Sequence, residues 1–287
     1  MMKNVALITG GSAGIGAALA RLLASEYGIR VFIVGRTLES LKKTTEAQPY
    51  IEYIQADIST DEGLDEIIHH LNRDQVSIRY LVSNAAVQNL SMLSDVTSEM
   101  FSNSINTNVR GPLKLITGML HNERFLPNAR ILTVSSTSRN NIQKGMGLYA
   151  ISKSALFTLT KALRKELEGQ LLINSIYPGT VNGTNTAQSM QESKIPEILE
   201  LRSRLKTFLR NNKQIRIISP EDSAEFLAWV LCNTSDQQFA NPAIAIKENT
   251  VPMGLDEWDI RDSECYIGCD LTAGTKLRAL EAFLSSN

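Results

Sequence analysis

Val5-Ala6-Leu7-Ile8-Thr9-Gly10-Gly11-Ser12-Ala13-Gly14-Ile15-Gly16 is the stretch that decides the fold. Val5 to Thr9 has the length and apolar character of a buried strand. Behind the glycines, Ile15, Leu19, Leu22 and Leu23 recur at helical spacing. Glycines between a strand and a helix permit a tight turn and let the backbone approach a pyrophosphate, whose charge is met by free N–H groups at the helix N-terminus. A glycine cluster alone is a weak signal; the strand before it and the helix after it supply the context that the motif requires.

Working outward, short apolar runs recur at 30–34, 51–55, 79–83, 130–135 and 171–177. Helical spacing lies between them, as in Leu64, Ile67, Ile68, Leu71 and in Ala155, Leu156, Leu159, Leu163, Leu167. Strand alternating with helix predicts a parallel sheet, and right-handed crossovers put helices on both of its faces. The expected fold class is therefore α/β, a doubly wound sheet whose ligands bind at the carboxyl ends of the strands. With neither a linker nor a second core in view, residues 1–287 read as a single domain. Ile195, Ile198, Leu201, Leu205 and Phe208 mark an amphipathic helix in 182–217, read as a substrate lid. Its Arg202, Arg204, Lys206 and Arg210 read as a solvated face, with a gate for anionic substrates as the alternative. Ser219-Pro220-Glu221-Asp222 opens a further helix. The region 234–287 diverges, with a weak strand signal at 243–246 and a weak helix signal at 272–284.

Composition narrows the function classes. Lys and Arg total 29 against 30 Asp and Glu, a net charge of −1, which argues against nucleic acid or an anionic membrane as partner. No stretch approaches the ~20 apolar residues that span a bilayer, and the N-terminus runs into its first strand without a secretory h-region. The cysteines are odd in number (Cys232, Cys265, Cys269), and Cys265 and Cys269 lack the further ligands of a metal site, so they read as ordinary thiols. These features predict a cytoplasmic protein without a metal, acting on a small molecule.

The pattern Thr9-Gly10-x-x-x-Gly14-x-Gly16 resembles that of the short-chain dehydrogenase/reductase family, and matching motifs continue in order over about Val5 to Leu231. Asp57, followed by Ile58, looks like the family's adenine-contacting acid. Asn84-Ala85-Ala86 resembles its Asn-Ala-Gly turn, with Ala86 where glycine is usual. Asn108 matches the active-site asparagine, and Ser135-Ser136 closes the fifth strand. Tyr149-Ala150-Ile151-Ser152-Lys153 matches Tyr-x-x-x-Lys, and Pro178-Gly179 closes the sixth strand. The resemblance implies a Rossmann-type domain, a catalytic set of Asn108, Ser136, Tyr149 and Lys153, and a possible homo-oligomer. It also implies cofactor contacts from Gly10, Ser12, Gly14, Ile15, Gly16, Arg36, Thr37, Asp57, Ile58, Asn84, Ala85, Tyr149, Lys153, Pro178, Gly179 and Val181. Within the family the chain is similar to NADP-dependent carbonyl reductases of the sepiapterin and benzil reductase kind. Ser136 is preferred to Ser135 and Ser138 because of its interval before Tyr149, and Asn108 is implied to hold a water that relays protons from Lys153.

The chemistry can also be argued from the residues. A carbonyl that accepts hydride becomes an alkoxide, so the site needs a proton donor and a hydrogen bond aimed at the developing charge. Tyrosine titrates near ~10, and Lys153, one helical turn beyond Tyr149, is expected to lower that value. A Tyr–Lys pair at i and i+4 is otherwise ordinary helix decoration; the glycine loop and the serine turn the reading toward catalysis. At the end of the second strand, Gly35 leaves no acid for the ribose hydroxyls and Arg36 supplies a cation for a 2′-phosphate, favouring NADP(H) over NAD(H). The leading function is NADPH-dependent hydride transfer with a small carbonyl or alcohol substrate. The alternative, a catalytically idle NADP-sensing protein on the same fold, would have no need of Asn108, Ser136, Tyr149 and Lys153 together.

Overall fold

The computed structural model describes residues 4–140, 142–178, 181–211, 219–240, 246–247 and 266–268. The chain alternates β1 (Val5–Thr9), α1 (Gly14–Ser25), β2 (Arg30–Gly35), α2 (Leu38–Thr45), β3 (Ile51–Gln55), α3 (Asp61–Arg73) and β4 (Ile78–Ser83). After β4 come α4 (Ser98–Ile105), a π-helical turn (Asn106–Arg110), α5 (Gly111–His121), β5 (Phe125–Val134), α6 (Gly147–Glu166) and β6 (Leu171–Pro178). The remainder holds α7 (Asn185–Glu192), α8 (Pro196–Asn211), α9 (Pro220–Cys232), α10 (Asp236–Ala240), β7 (Ile246–Lys247) and β8 (Tyr266–Gly268). All strand pairs are parallel, in the order β3-β2-β1-β4-β5-β6-β8-β7. The doubly wound α/β sheet expected from the sequence is present.

Both faces of this sheet are covered, which is why its strands read as unbroken apolar runs rather than alternating ones. In β1, Ala6 and Ile8 pack with α1 and α9 residues such as Leu19, Leu23, Leu227 and Trp229. Leu7, between them, points the other way to Leu64 and Ile67 of α3 and Leu115 and Ile116 of α5. Register aligns the strand ends: Thr9 stands opposite Val34 and Ser83, Ser83 opposite Thr133, and Thr133 opposite Ser175. The loops that leave those residues emerge along one edge.

Some boundaries differ from the sequence reading. β5 starts at Phe125 instead of 130, because Pro127 and Asn128, the latter at φ 56, interrupt the apolar pattern without ending the pairing. It also ends at Val134, so Ser135 and Ser136 belong to the loop that follows. α7 was not anticipated; none of its residues is buried, so it has no apolar stripe to read. α8 matches the expected amphipathic helix, with Ile198 and Leu201 buried. α9 begins with a capping box in which Ser219 and Asp222 satisfy each other's backbone N–H groups. Of the strand expected at 243–246, Ile246 is in β7; 243–245, the helix expected at 272–284, Cys265 and Cys269 lie outside the described residues. Among the described residues no helix is long and apolar enough to cross a membrane.

One buried cation ties the sheet to α9 and α10. Arg130 in β5, 8% exposed, donates to Leu231 O at 2.7 Å, Thr234 O at 2.7 Å and Asp236 Oδ1 at 2.8 Å, and lies 5.1 Å from the Phe239 ring centroid. Arg130→Met keeps the length of the side chain but strands those carbonyls. It is expected to cost about 2–4 kcal/mol in urea denaturation, the range for orphaning buried partners of a charged group. A loss under ~0.5 kcal/mol would show that the bracket is not a stabilising element.

Candidate active site

The strand ends enclose a cavity of about 360 Å³ reaching from the glycine loop to α7 and α8. Its floor begins at the β1 turn. Gly10 has φ 66, and a Cβ there would come within 2.8 Å of Ala85 Cα, so this position combines a left-handed backbone with a close approach that only glycine tolerates. Thr9 Oγ1 accepts the backbone N–H groups of Asn84 and Ala85, both at 3.1 Å. Asn84 Nδ2 returns bonds to Thr9 O at 3.0 Å and Gly10 O at 3.1 Å. Ala13 is extended and offers no side-chain cap to α1, so the first N–H groups of that helix are left for an anion in the cavity. Ser12, Gly14 and Ile15 line this end, while Gly16 lies beneath it, where a Cβ would overlap Gly10 O.

Arg36, Thr37, Asp57 and Ile58 line the next stretch of wall. Arg36 Nη1 lies 3.6 Å from Asp57 Oδ2 with its side chain 62% exposed, and Asp57 Oδ1 accepts the Ser59 N–H at 2.9 Å. The acid thus holds the guanidinium beside the cavity without burying it.

At the other end stand Ser136, Tyr149 and Lys153, with Ala85, Pro178 and Val181 nearby on the lining. Tyr149 and Lys153 fall in the opening turns of α6, on one face at i and i+4. The Tyr149 hydroxyl is hydrogen-bonded to the side chains of Ser136 and Thr186. Ser136 Oγ also donates to Ser138 Oγ at 3.1 Å and accepts the Ser138 N–H at 3.1 Å. Lys153, 2% exposed, donates from Nζ to Val134 O at 2.8 Å and lies 5.8 Å from the Tyr149 ring centroid.

The electrostatics correct one expectation. The lysine was expected to lower the tyrosine pKa, yet burial pushes Tyr149 up to about 12 against the opposing hydrogen bonds from Ser136 and Thr186. Burial likewise pushes Lys153 down to about 8. Both charged forms lose their hydration, and the ammonium is engaged with a strand carbonyl, so desolvation outweighs any mutual attraction.

Asn108 lies in the π-helical turn and is fully buried. Its Oδ1 accepts the Val87 N–H at 2.8 Å, and its Nδ2 donates to Val87 O at 2.9 Å and to Ser152 Oγ at 2.9 Å. Ser152 Oγ donates in turn to Tyr149 O at 2.8 Å. The Asn108 side chain thus braces the β4 loop against α6. Gly179, expected at the cofactor, lies outside the described residues. Two cavity residues were given no role of their own by the reading, Thr186 on Tyr149 and Thr184 against Gly14, while Arg202 of α8, read as part of a solvated face or of a gate for anionic substrates, lines the cavity. The available signal was Thr184, which caps α7 by accepting the Ala187 N–H at 3.1 Å.

Residues 4–195 match the family model described as short chain dehydrogenase. The chain belongs to the short chain dehydrogenase family. An uncharacterized oxidoreductase of Staphylococcus aureus strain MW2 is 27% identical over 190 residues, covering 65% of this chain and 82% of its own. A Burkholderia cenocepacia short chain dehydrogenase in complex with NADP superposes with a TM-score of 0.65 at 24% identity, over 79% of this chain and 90% of that one. A Brucella melitensis 3-ketoacyl-(acyl-carrier-protein) reductase complexed with NADH gives 0.67 at 23% identity, over 83% and 93%. Short chain dehydrogenases are oxidoreductases that bind a nicotinamide cofactor and act on CH–OH or carbonyl groups of small molecules. The donor set fits such a group in this member: open helix N–H groups for a pyrophosphate, Arg36 and Asp57 at one end, and the Lys153 ammonium at the other.

The Lys153 shift has a measurable consequence for this dehydrogenase. Unfolded, the lysine titrates near 10.5; folded, near 8. Between those values the unfolded chain holds more protons, so this group makes folding more favourable as pH rises through that window. The melting temperature of the cofactor-free wild type, relative to Lys153→Met, should therefore climb between pH 8 and pH 10. Parallel curves in differential scanning fluorimetry across that window would mean that the buried lysine titrates normally.

Proposed function

We propose that the protein is an NADPH-dependent carbonyl reductase, a single domain over 1–287 with 182–217 as its substrate lid. The observation that carries this reading is the buried Tyr149 hydroxyl, hydrogen-bonded to Ser136 in the same cavity as Lys153 and the open N-terminus of α1. NADPH, when bound, supplies the hydride. Tyr149, with its pKa raised to about 12, keeps its proton at neutral pH and donates it from Oη to the substrate oxygen as negative charge builds there. Ser136 Oγ donates a hydrogen bond to the same oxygen and orients the carbonyl. Lys153 is charged below about 8, and its ammonium steadies the phenolate that remains after proton transfer. A phenol that begins protonated suits reduction, so reduction is the proposed direction near neutral pH. Asn108 holds the geometry through Val87 and Ser152.

The NADPH preference rests on Arg36, which stands beside the cavity next to Asp57 and follows Gly35, where no acid competes for a ribose. NADPH should bind at least tenfold more tightly than NADH, a difference of about 1.4 kcal/mol that a charge-assisted contact can supply. Arg36→Asp should weaken NADPH and spare or improve NADH; equal affinities of the wild type in calorimetric titration would defeat the assignment.

Tyr149→Phe removes one oxygen and leaves the ring to pack as before. Turnover on accepted carbonyl substrates should fall at least ~100-fold, the low end of a general acid's contribution, while NADPH affinity changes little. A variant that kept more than about a third of the wild-type rate would contradict the proton-donor role.

A further inference from the structure

Arg202, Arg204 and Lys206 share α8, and the fold separates them. Arg204 and Lys206 are exposed, whereas Arg202 is partly buried and lines the cavity together with Leu205. The apolar stripe of α8 sets this direction. Ile198 and Leu201 are buried in one cluster with Tyr149 and Met146. Arg202 falls one turn after Ile198 and three residues before Leu205. It therefore reaches the cavity on the side of α8 that packs about the catalytic tyrosine.

Charge at this end of the cavity is one-sided. Asp57 is the only acid among the described residues of the lining, and it faces Arg36 at the opposite end. Lys153 is taken up by Val134 O at 2.8 Å. On α8 the residues one turn from Arg202 are Ile198, Leu199, Leu205 and Lys206, none of them an acid, whereas Arg204 has Glu200 four residues before it. Among the described residues no hydrogen bond or ion pair engages the Arg202 guanidinium.

A partly buried guanidinium costs little while water reaches it. An occupant of the cavity removes that water, and a cation stripped of hydration without a counter-charge is destabilised. A neutral occupant thus meets a penalty at Arg202, where an anionic one gains a charge-assisted, two-pronged hydrogen bond. One unengaged fork matches one negative charge, so a carboxylate fits better than a phosphate carrying nearly two.

We propose that Arg202 is a specificity-determining residue that pairs with a carboxylate on the substrate, making oxo acids the substrate class. This rests on the reductase reading above and names its substrate.

The test scans the spacing between carbonyl and carboxylate with 3-oxobutanoate, 4-oxopentanoate and 5-oxohexanoate, each paired with its uncharged methyl ester. Wild type, Arg202→Met and Arg204→Met are compared at neutral pH and saturating NADPH. In at least one pair, wild-type kcat/KM should favour the acid tenfold or more, and Arg202→Met should erase at least tenfold of that ratio, chiefly through KM. Arg204→Met, which removes an equal charge from the exposed side of the helix, should leave the ratio within twofold. The NADPH affinity of Arg202→Met should stay within threefold of wild type in calorimetric titration. No acid preference in any pair, or a ratio that survives Arg202→Met, would overturn the proposal. An equal loss in Arg204→Met would overturn it by assigning the effect to the general field of the helix. A larger fall in NADPH affinity would do so by giving the guanidinium to a cofactor phosphate. If wild type reduces none of the six compounds, the reductase reading is what has failed, and titration of the protein–NADPH complex with the acids and esters decides Arg202 by itself. Acid-selective binding that Arg202→Met weakens tenfold sustains the pairing, and equal or absent binding overturns it.

Discussion

Thr9 and Asn84 hold together the ends of the neighbouring strands β1 and β4, and the geometry of the cavity follows from that junction. One hydroxyl accepts two backbone N–H groups from the neighbouring turn, and one carboxamide returns two bonds to the first turn. Were either side chain apolar, backbone groups at the sheet edge would lose their partners, and Gly10 could not be held against Ala85. With the junction closed, the glycine turn is set relative to β4, the β4 loop relative to Asn108, and Asn108 relative to α6. Reacting groups from strands far apart in sequence thereby share one wall.

The same closure shuts water out, and that is what sets the protonation states. Tyr149 and Lys153 are both driven toward neutrality by burial. In water their mutual attraction would be weak; inside, the loss of hydration is larger still, and each group leans on a local partner, Ser136 and Thr186 for the phenol and Val134 O for the ammonium. The pair is thus prepared to take up charge only when something in the cavity compensates for it.

Much of the fold was legible because a sheet covered on both faces writes continuous apolar runs, as Ala6, Leu7 and Ile8 do. The glycine loop was legible because its residue types are demanded by backbone geometry. Gly10, Arg36, Asp57, Asn84 and Ser136 could be located from motifs because each sits just past a strand end, whereas Asn108 and Tyr149 were located from motifs carried on helical turns. Three things were not legible. α7 buries no residue and so carries no periodic stripe. The pKa of Tyr149 depends on solvent exclusion, a property of the packed whole that the Tyr–Lys spacing does not encode. The partners of Asn108 depend on contacts across the chain, which no local pattern reports.

Thr186 brings a polar, shallowly docked helix onto the oxygen at the centre of the site. A phenol has a single proton, which can point to one acceptor at a time. When a substrate oxygen claims it, the threonine can only donate or withdraw. Thr186 and Ser136 both favour the ionised form of that phenol, so a helix that buries none of its own residues reaches into the electrostatics of a buried atom.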